Sequence, residues 1–243
     1  MAGFDTAGQI QNTYVSARNE FGRAPAFWIR YFSPSPAADI FADDPVSESL
    51  GAWNSGGPAV GCVSAPFQSR LSGSAAEGLA DAQTYAASML AAWNAVAQLK
   101  LPANHHLWCF LDQEYSTGLS LSYWDAWAHY LAEYNFANLH TYPLYPAVYC
   151  DPFSPFPNCS VFAATSGVNT PATVWSSEPE PCGTLMHRPN FDAEQCSSVS
   201  RSRAPSHLWQ FGEQVGCGYS ANVDLDLGNL NTRSYCFAVV AKP

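Results

Sequence analysis

The stretch LWCFLDQEYS, residues 107–116, sets an apolar run directly against two carboxylates, Asp112 and Glu114, separated by one residue. A run of this length, rich in aromatic and aliphatic side chains, reads as a buried β-strand. On a strand, residues i and i+2 share a face, roughly 6.6 Å apart for a rise of about 3.3 Å per residue. Asp112 and Glu114 therefore point the same way, with Trp108 and Phe110 below them. Two readings are open. The pair is structural, bridging Arg30 or capping a helix that begins near Ser120, or it divides into a proton donor and an anion. An aromatic floor disfavours ionisation of at least one acid.

Outward from this strand, the first half of the chain alternates short apolar runs with helical patterns, the order of βα units feeding a parallel sheet or barrel. GFDT, AFWIRYFS and AVGCVSA are the strand candidates before LWCFLDQE. Between the third and fourth, SAAEGLADAQTYAASMLAAWNAVAQL opens on Ser74 and Glu77 as a capping box and repeats apolar residues at 79, 82, 86, 89, 93 and 96. A second helix follows, capped by Ser120 or Ser122, with Trp124, Trp127, Leu131 and Tyr134 on one stripe. Beyond about residue 140, LYPAVYC, TVWSSEP, HLWQFG and SYCFAVVA read as strands, joined by connections rich in Pro, Ser, Asn and Cys without helical period. The fold class expected is α/β: one irregular TIM-like barrel over residues 1–243, βα-regular first and mostly strands and long loops afterwards.

Acids recur at apolar boundaries. Asp5 closes the first strand in GFD, and Asp224 with Asp226 stands in ANVDLDLGN, read as another strand end. First and last strands of a closed barrel are neighbours, so these acids and the 112/114 pair converge on one mouth. Tyr149, Trp175 and Trp209 end strands at the height where a sugar ring stacks on an aromatic face, or they are core. Gln210 offers a polar contact, and Arg30 is a ligand contact or a counter-charge to the acids.

Of the 243 residues only 12% are charged, with 20 acids against 10 bases for a net charge of −10 and no basic cluster, which excludes a nucleic-acid partner. No apolar run is long enough for a membrane span. His105 and His106 precede the fourth strand at the end opposite the mouth, and His129, His140, His187 and His207 lack ligand spacing, so no metal is expected. The serines form no G-x-S-x-G elbow, NSGG at 54–57 reads as a turn, and no phosphate loop follows a strand, so no cofactor is expected. Eight cysteines without C-x-x-C pairs point to disulfides and an extracellular setting, the export signal removed or lying elsewhere. Pairings 150–159, 182–196 and 217–236 are the expectation, with Cys62 and Cys109 as buried thiols and Asn158 as a glycosylation acceptor. A monomer is expected.

The motifs GFDTAGQ, FLDQEYS, YPAVYC and LWQFGEQVGCGYSANVDLDLGN resemble, in order and spacing, glycoside hydrolase family 25, the Chalaropsis-type lysozymes. The chain is also similar to the glycoside-hydrolase-like relatives of unknown function that share the opening G-F-D and a strand-two R-Y pair, here Arg30 and Tyr31. The resemblance implies an irregular barrel of five βα units followed by mostly bare strands. It implies Glu114 as general acid and Asp112 as the carboxylate steadying positive charge at the sugar. It further implies that Asp5 and Asp224 bind or polarise, that Gln210 belongs to a W-Q pair, and that the substrate is the β-1,4 link after N-acetylmuramic acid in peptidoglycan. Strand two ends in IRYFSPS and strand three reads VGCVSAP, departures that move the chain toward the glycoside-hydrolase-like relatives. The alternative reading is a non-catalytic glycan-binding or cell-wall-targeting module on the same barrel.

Overall fold

The computed structural model describes residues 1–33, 39–101, 106–114, 118–137 (side chains to 133), 144–151, 159, 161–162, 165–177, 206–212, 223–229, 232–240 and 242–243. Its βα alternation begins with β1 (Ala2–Asp5), α1 (Ile10–Phe21), β2 (Trp28–Tyr31), α2 (Pro45–Ser55), β3 (Ala59–Ser64) and α3 (Ala75–Ala95). A short β4 (Leu99–Lys100) precedes β5 (Leu107–Gln113) and α4 (Leu121–Ala137). Then β6 (Leu144–Cys150), β7 (Val174–Ser177), β8 (Ser206–Gly212), β9 (Asp224–Gly228) and β10 (Phe237–Val239) follow with no α-helix among the described residues. Among the described residues, the change of texture near residue 140 coincides with the change from βα alternation to strands. Four α-helices are described, against the five βα units the resemblance implies.

Local chemistry sets the helix ends. The Asp44 side chain accepts from the Ser47 N–H at the start of α2, with Pro45 in the first turn where its missing donor costs nothing. Gly56 ends α2 at φ 84°, so NSGG is a helix stop, as a turn reading requires. Both halves of the Ser74–Glu77 capping box are formed on α3. Ser120 accepts from the Tyr123 N–H and so caps α4. The buried stripe of α3 is Gly78, Ala82, Tyr85, Ala86, Met89 and Ala92, while Leu79 is 40% exposed. Gly78 and Tyr85 take its place because α3 crosses α4 so closely that a Cβ on Gly78 would strike the Tyr123 backbone.

Strands β1, β2, β3, β5, β6, β7 and β8 run parallel in successive pairs. Strand β9 closes the eight-membered ring, antiparallel to both β8 and β1. Strands β10 and β4 lie outside the ring, attached where Phe237 pairs with Val60. The sequence puts acids at the end of a last strand. Instead, the reversal of β9 brings its first residue, Asp224, to the mouth, opposite Asp5.

Strand alternation builds two apolar layers. Ile29, Val63, Trp108, Phe110, Ala147 and Trp175 fill the barrel. Trp28, Cys62, Cys109, Leu111, Val148 and Trp209 face outward with Trp124 and Trp127 of α4. Cys62 and Cys109 are buried thiols as expected, and Cys150–Cys159 is a disulfide. The 217–236 pairing is overturned. Cys236 is a free, buried thiol beside Gly61, donating to the Thr232 carbonyl, because it packs into the barrel's apolar filling. Cys182, Cys196, Cys217, Asn158, His105, His140, His187 and the Tyr134 side chain lie outside what is described. His106 stacks on Tyr145 at 3.9 Å, beside the N-terminal end of β5.

Candidate active site

The parallel strands all end at one rim, and the interior face of each delivers its last side chain there. On β5 the sequence Trp108, Phe110, Asp112 climbs the inside of the barrel; Asp112 is 5% exposed, whereas Glu114, just past the strand, is exposed. On β1, Asp5 is buried at the top, and on β9 the interior positions are Asp224 at the rim and the fully buried Asp226 one layer down. A cavity of about 410 Å³ opens among them, lined by Asp5, Asp112, Glu114 and Asp224 with Tyr31, Tyr149, Trp175, Ser177 and Gln210. The acids of β1, β5 and β9 thus converge as the sequence suggests.

Gln210 is the hub of the polar floor. Its amide nitrogen donates to Asp5 Oδ2 at 3.1 Å, while its carbonyl accepts from Tyr149 Oη at 2.7 Å and from Ser177 Oγ at 3.2 Å. Those contacts tie β8 to β1, β6 and β7 at the floor of the mouth. Trp175 donates its indole N–H to Asp226 Oδ1 at 2.9 Å. The aromatic residues therefore wall the site and hold its acids in place, with Tyr149 8% and Trp175 3% exposed.

No cation answers this concentration of acid: among the described lining residues there is no Lys, Arg or His. Burial, then the charges of Asp224 and Glu114, push Asp5 up to about 8, against hydrogen bonds from Asp226 and Gln210 that favour its anion. Asp112 is held well above the carboxylate range by burial first, then by Glu114 and Asp5. Asp226 is raised likewise, by burial and by Asp5, with which it shares a hydrogen bond. Tyr31 and Tyr149 are pushed up by burial, with the neighbouring carboxylates adding to it. The mouth therefore retains protons at neutral pH and suits a neutral, hydroxyl-rich ligand or a developing positive charge, while repelling anions. Among the described residues, no group of three or more His, Cys, Asp or Glu side chains is arranged to hold a metal ion.

Two residues read as site contacts lie elsewhere. Arg30 is fully buried on the outer face of β2, where it pairs with Glu48 Oε1 at 2.9 Å and donates to the carbonyls of Thr6 and Asp39. It neither lines the mouth nor neutralises the acids, because the period of two that turns Tyr31 inward turns Arg30 outward. Trp209 is separated from Gln210 by the same rule. It packs in the outer layer, its ring 5.8 Å from Phe211. Tyr31 and Ser177 line the mouth and Gln68 binds the backbone beneath its acids, although the sequence does not single them out as site residues. Alternation next to Arg30 could have found Tyr31, whereas nothing local marks Gln68.

Fold and site together define a closed, mixed eight-stranded α/β barrel with an acidic, aromatic-walled mouth at the C-terminal end of its parallel strands. No family model matches the chain, and no curated protein matches it. Two solved structures share the architecture. An uncharacterized B. stearothermophilus protein is similar with a TM-score of 0.68 at 20% identity, over 97% of this chain and 99% of that one. The catalytic domain of an endolysin from a bacteriophage of Listeria monocytogenes is similar with a TM-score of 0.57 at 12% identity, over 96% and 95%. At these identities the likeness is one of fold.

Proposed function

We propose that this protein is a glycoside hydrolase of the lysozyme type, cleaving β-1,4 links in peptidoglycan or a related amino-sugar polymer by carboxylate catalysis. The observation that carries the reading is the convergence of Asp5, Asp112, Glu114 and Asp224 on one aromatic-walled cavity. The fold shared with an endolysin catalytic domain supports it.

In this reading Glu114, the exposed member of the pair, protonates the glycosidic oxygen, and Asp112 beneath it orients and steadies the sugar as positive charge develops. The two acids compete for a proton. Burial favours the protonated form of Asp112, and a sugar ring that covers the exposed Glu114 desolvates it and so favours the protonated form that a general acid needs. A D-x-E pair on one strand suits assistance by the substrate's own acetamido group, which leaves the second carboxylate an orienting role. Asp5 and Asp224 bind or polarise the sugar, Asp226 holds Trp175 from beneath, and Tyr149, Trp175 and Gln210 shape the sugar subsite. The protein works as a single barrel domain, outside the cell, where a disulfide such as Cys150–Cys159 persists.

The test is a panel of peptidoglycan, chitin and unrelated glycans assayed for both binding and cleavage. Release of new reducing ends from peptidoglycan is the expected result. Saturable binding without product would replace the enzyme by a glycan-recognition module, and neither binding nor product would overturn both.

A further inference from the structure

Strand β5 loses its β3 neighbour just where its acids begin, while β6 pairs with it on the other side as far as Gln113. The parallel pairing of β3 with β5 ends at Ser64 opposite Leu111, and continuing that register by two residues would set residue 66 opposite Gln113. Residue 66 is a proline, which has no N–H to donate to the Asp112 carbonyl. The Ala65 N–H, one position earlier, points to the other side and is taken by Ser33 Oγ at 3.0 Å.

The vacant ladder position is filled by a side chain. Gln68 Nε2 donates to the Asp112 carbonyl at 3.0 Å, and Gln68 Oε1 accepts from the Glu114 N–H at 3.1 Å. A carbonyl at one residue and an N–H two residues on are the two groups that a single residue of a parallel neighbour engages. One side-chain amide offers the same donor and acceptor pair as a backbone residue.

We infer that Gln68 is a positioning residue that extends the β3–β5 ladder by one step and thereby fixes the backbone from which Asp112 and Glu114 project. Its catalytic meaning rests on the hydrolase reading above; its geometric meaning does not. Without the clamp, the end of β5 is held only by β6 on its other side, and the carboxyl of Glu114 loses its defined height at the mouth. Misplacement on the scale of 1 Å costs on the order of 100-fold in rate in a positioned reaction. Ground-state binding by the rest of the cleft is left nearly untouched.

The experiment compares wild type, Gln68→Leu and Gln68→Glu. Leucine removes both hydrogen bonds at nearly constant volume, and glutamate keeps an acceptor for the Glu114 N–H while losing the donor to Asp112. Expected for Gln68→Leu is a fall in kcat of about 10- to 100-fold with KM within about twofold, and several-fold faster amide hydrogen exchange at Glu114 by NMR. Gln68→Glu should retain the slower exchange. Unchanged exchange at Glu114 in Gln68→Leu, with the fold intact by circular dichroism, would overturn the clamp. Faster exchange with unchanged kcat would overturn its catalytic role. If wild type cleaves no glycan, the hydrolase reading fails alone, because the exchange measurement still decides the geometry.

Discussion

At the scale of single residues, the site is governed by what burial does to carboxyls that have no cation. Asp5 is the clearest case: its ordinary value of 3.8 rises to about 8, so the folded chain holds a proton across that interval that the unfolded chain has released. When the native state binds more protons, stability falls as pH rises. The contribution of Asp5 is fully present below about 3.8 and is lost as pH climbs through about 8. Asp226→Asn removes one member of this buried pair, while its amide oxygen can still accept from Trp175. We expect the variant to be more stable than wild type at alkaline pH by about 1–3 kcal/mol, with a shallower decline of Tm on the alkaline side. Thermal unfolding across that range checks it, and parallel curves for the two proteins would contradict it. The Arg30 reading failed at this same scale. A cation on a barrel strand looks like the counter-charge to the acids at the mouth, but its partner, Glu48, stands on a different element and Arg30 faces outward.

At the scale of elements, the sequence was most readable where a local rule acts alone. The capping box on α3, the serine cap on α4 and the apolar strands β1, β2, β3 and β5 all depend on residues within a few positions of one another. The period of two also placed Asp112 correctly above Trp108 and Phe110. Strand direction is not local, since DLDLG carries the same alternation either way, and so the reversal of β9 was invisible. Gln68 was invisible for a related reason: its partners lie more than forty positions away, and a glutamine at the start of a short 3-10 turn carries no pattern. Interhelical spacing is similarly silent. The buried stripe of α3 includes Gly78 because the Tyr123 backbone of α4 occupies the space a methyl would need. Gly78→Ala should therefore destabilise the protein by about 1–3 kcal/mol through overpacking, although alanine is the better helix former. Denaturant unfolding decides between them, and a gain in stability would show that the two helices separate without cost.

At the scale of the whole molecule, closure of the ring makes the site. Asp5, Asp112 and Asp224 sit far apart in sequence and meet because β9 inserts between β8 and β1, completing the circle that the parallel strands begin. The chain as a whole carries a net charge of −10, and the mouth gathers Asp5, Asp112, Glu114 and Asp224 around a cavity of about 410 Å³. On the proposed hydrolase reading, a saccharide gains positive charge as its glycosidic bond breaks, and carboxyls that can give up a proton at that moment favour the transition state. The most direct measurement of this account is release of reducing ends from peptidoglycan by wild type and by Glu114→Gln, at matched concentration and with matched folding by circular dichroism. The account predicts turnover by wild type and a loss of about 100-fold or more in the variant; equal turnover by the two would show that Glu114 is not the acid.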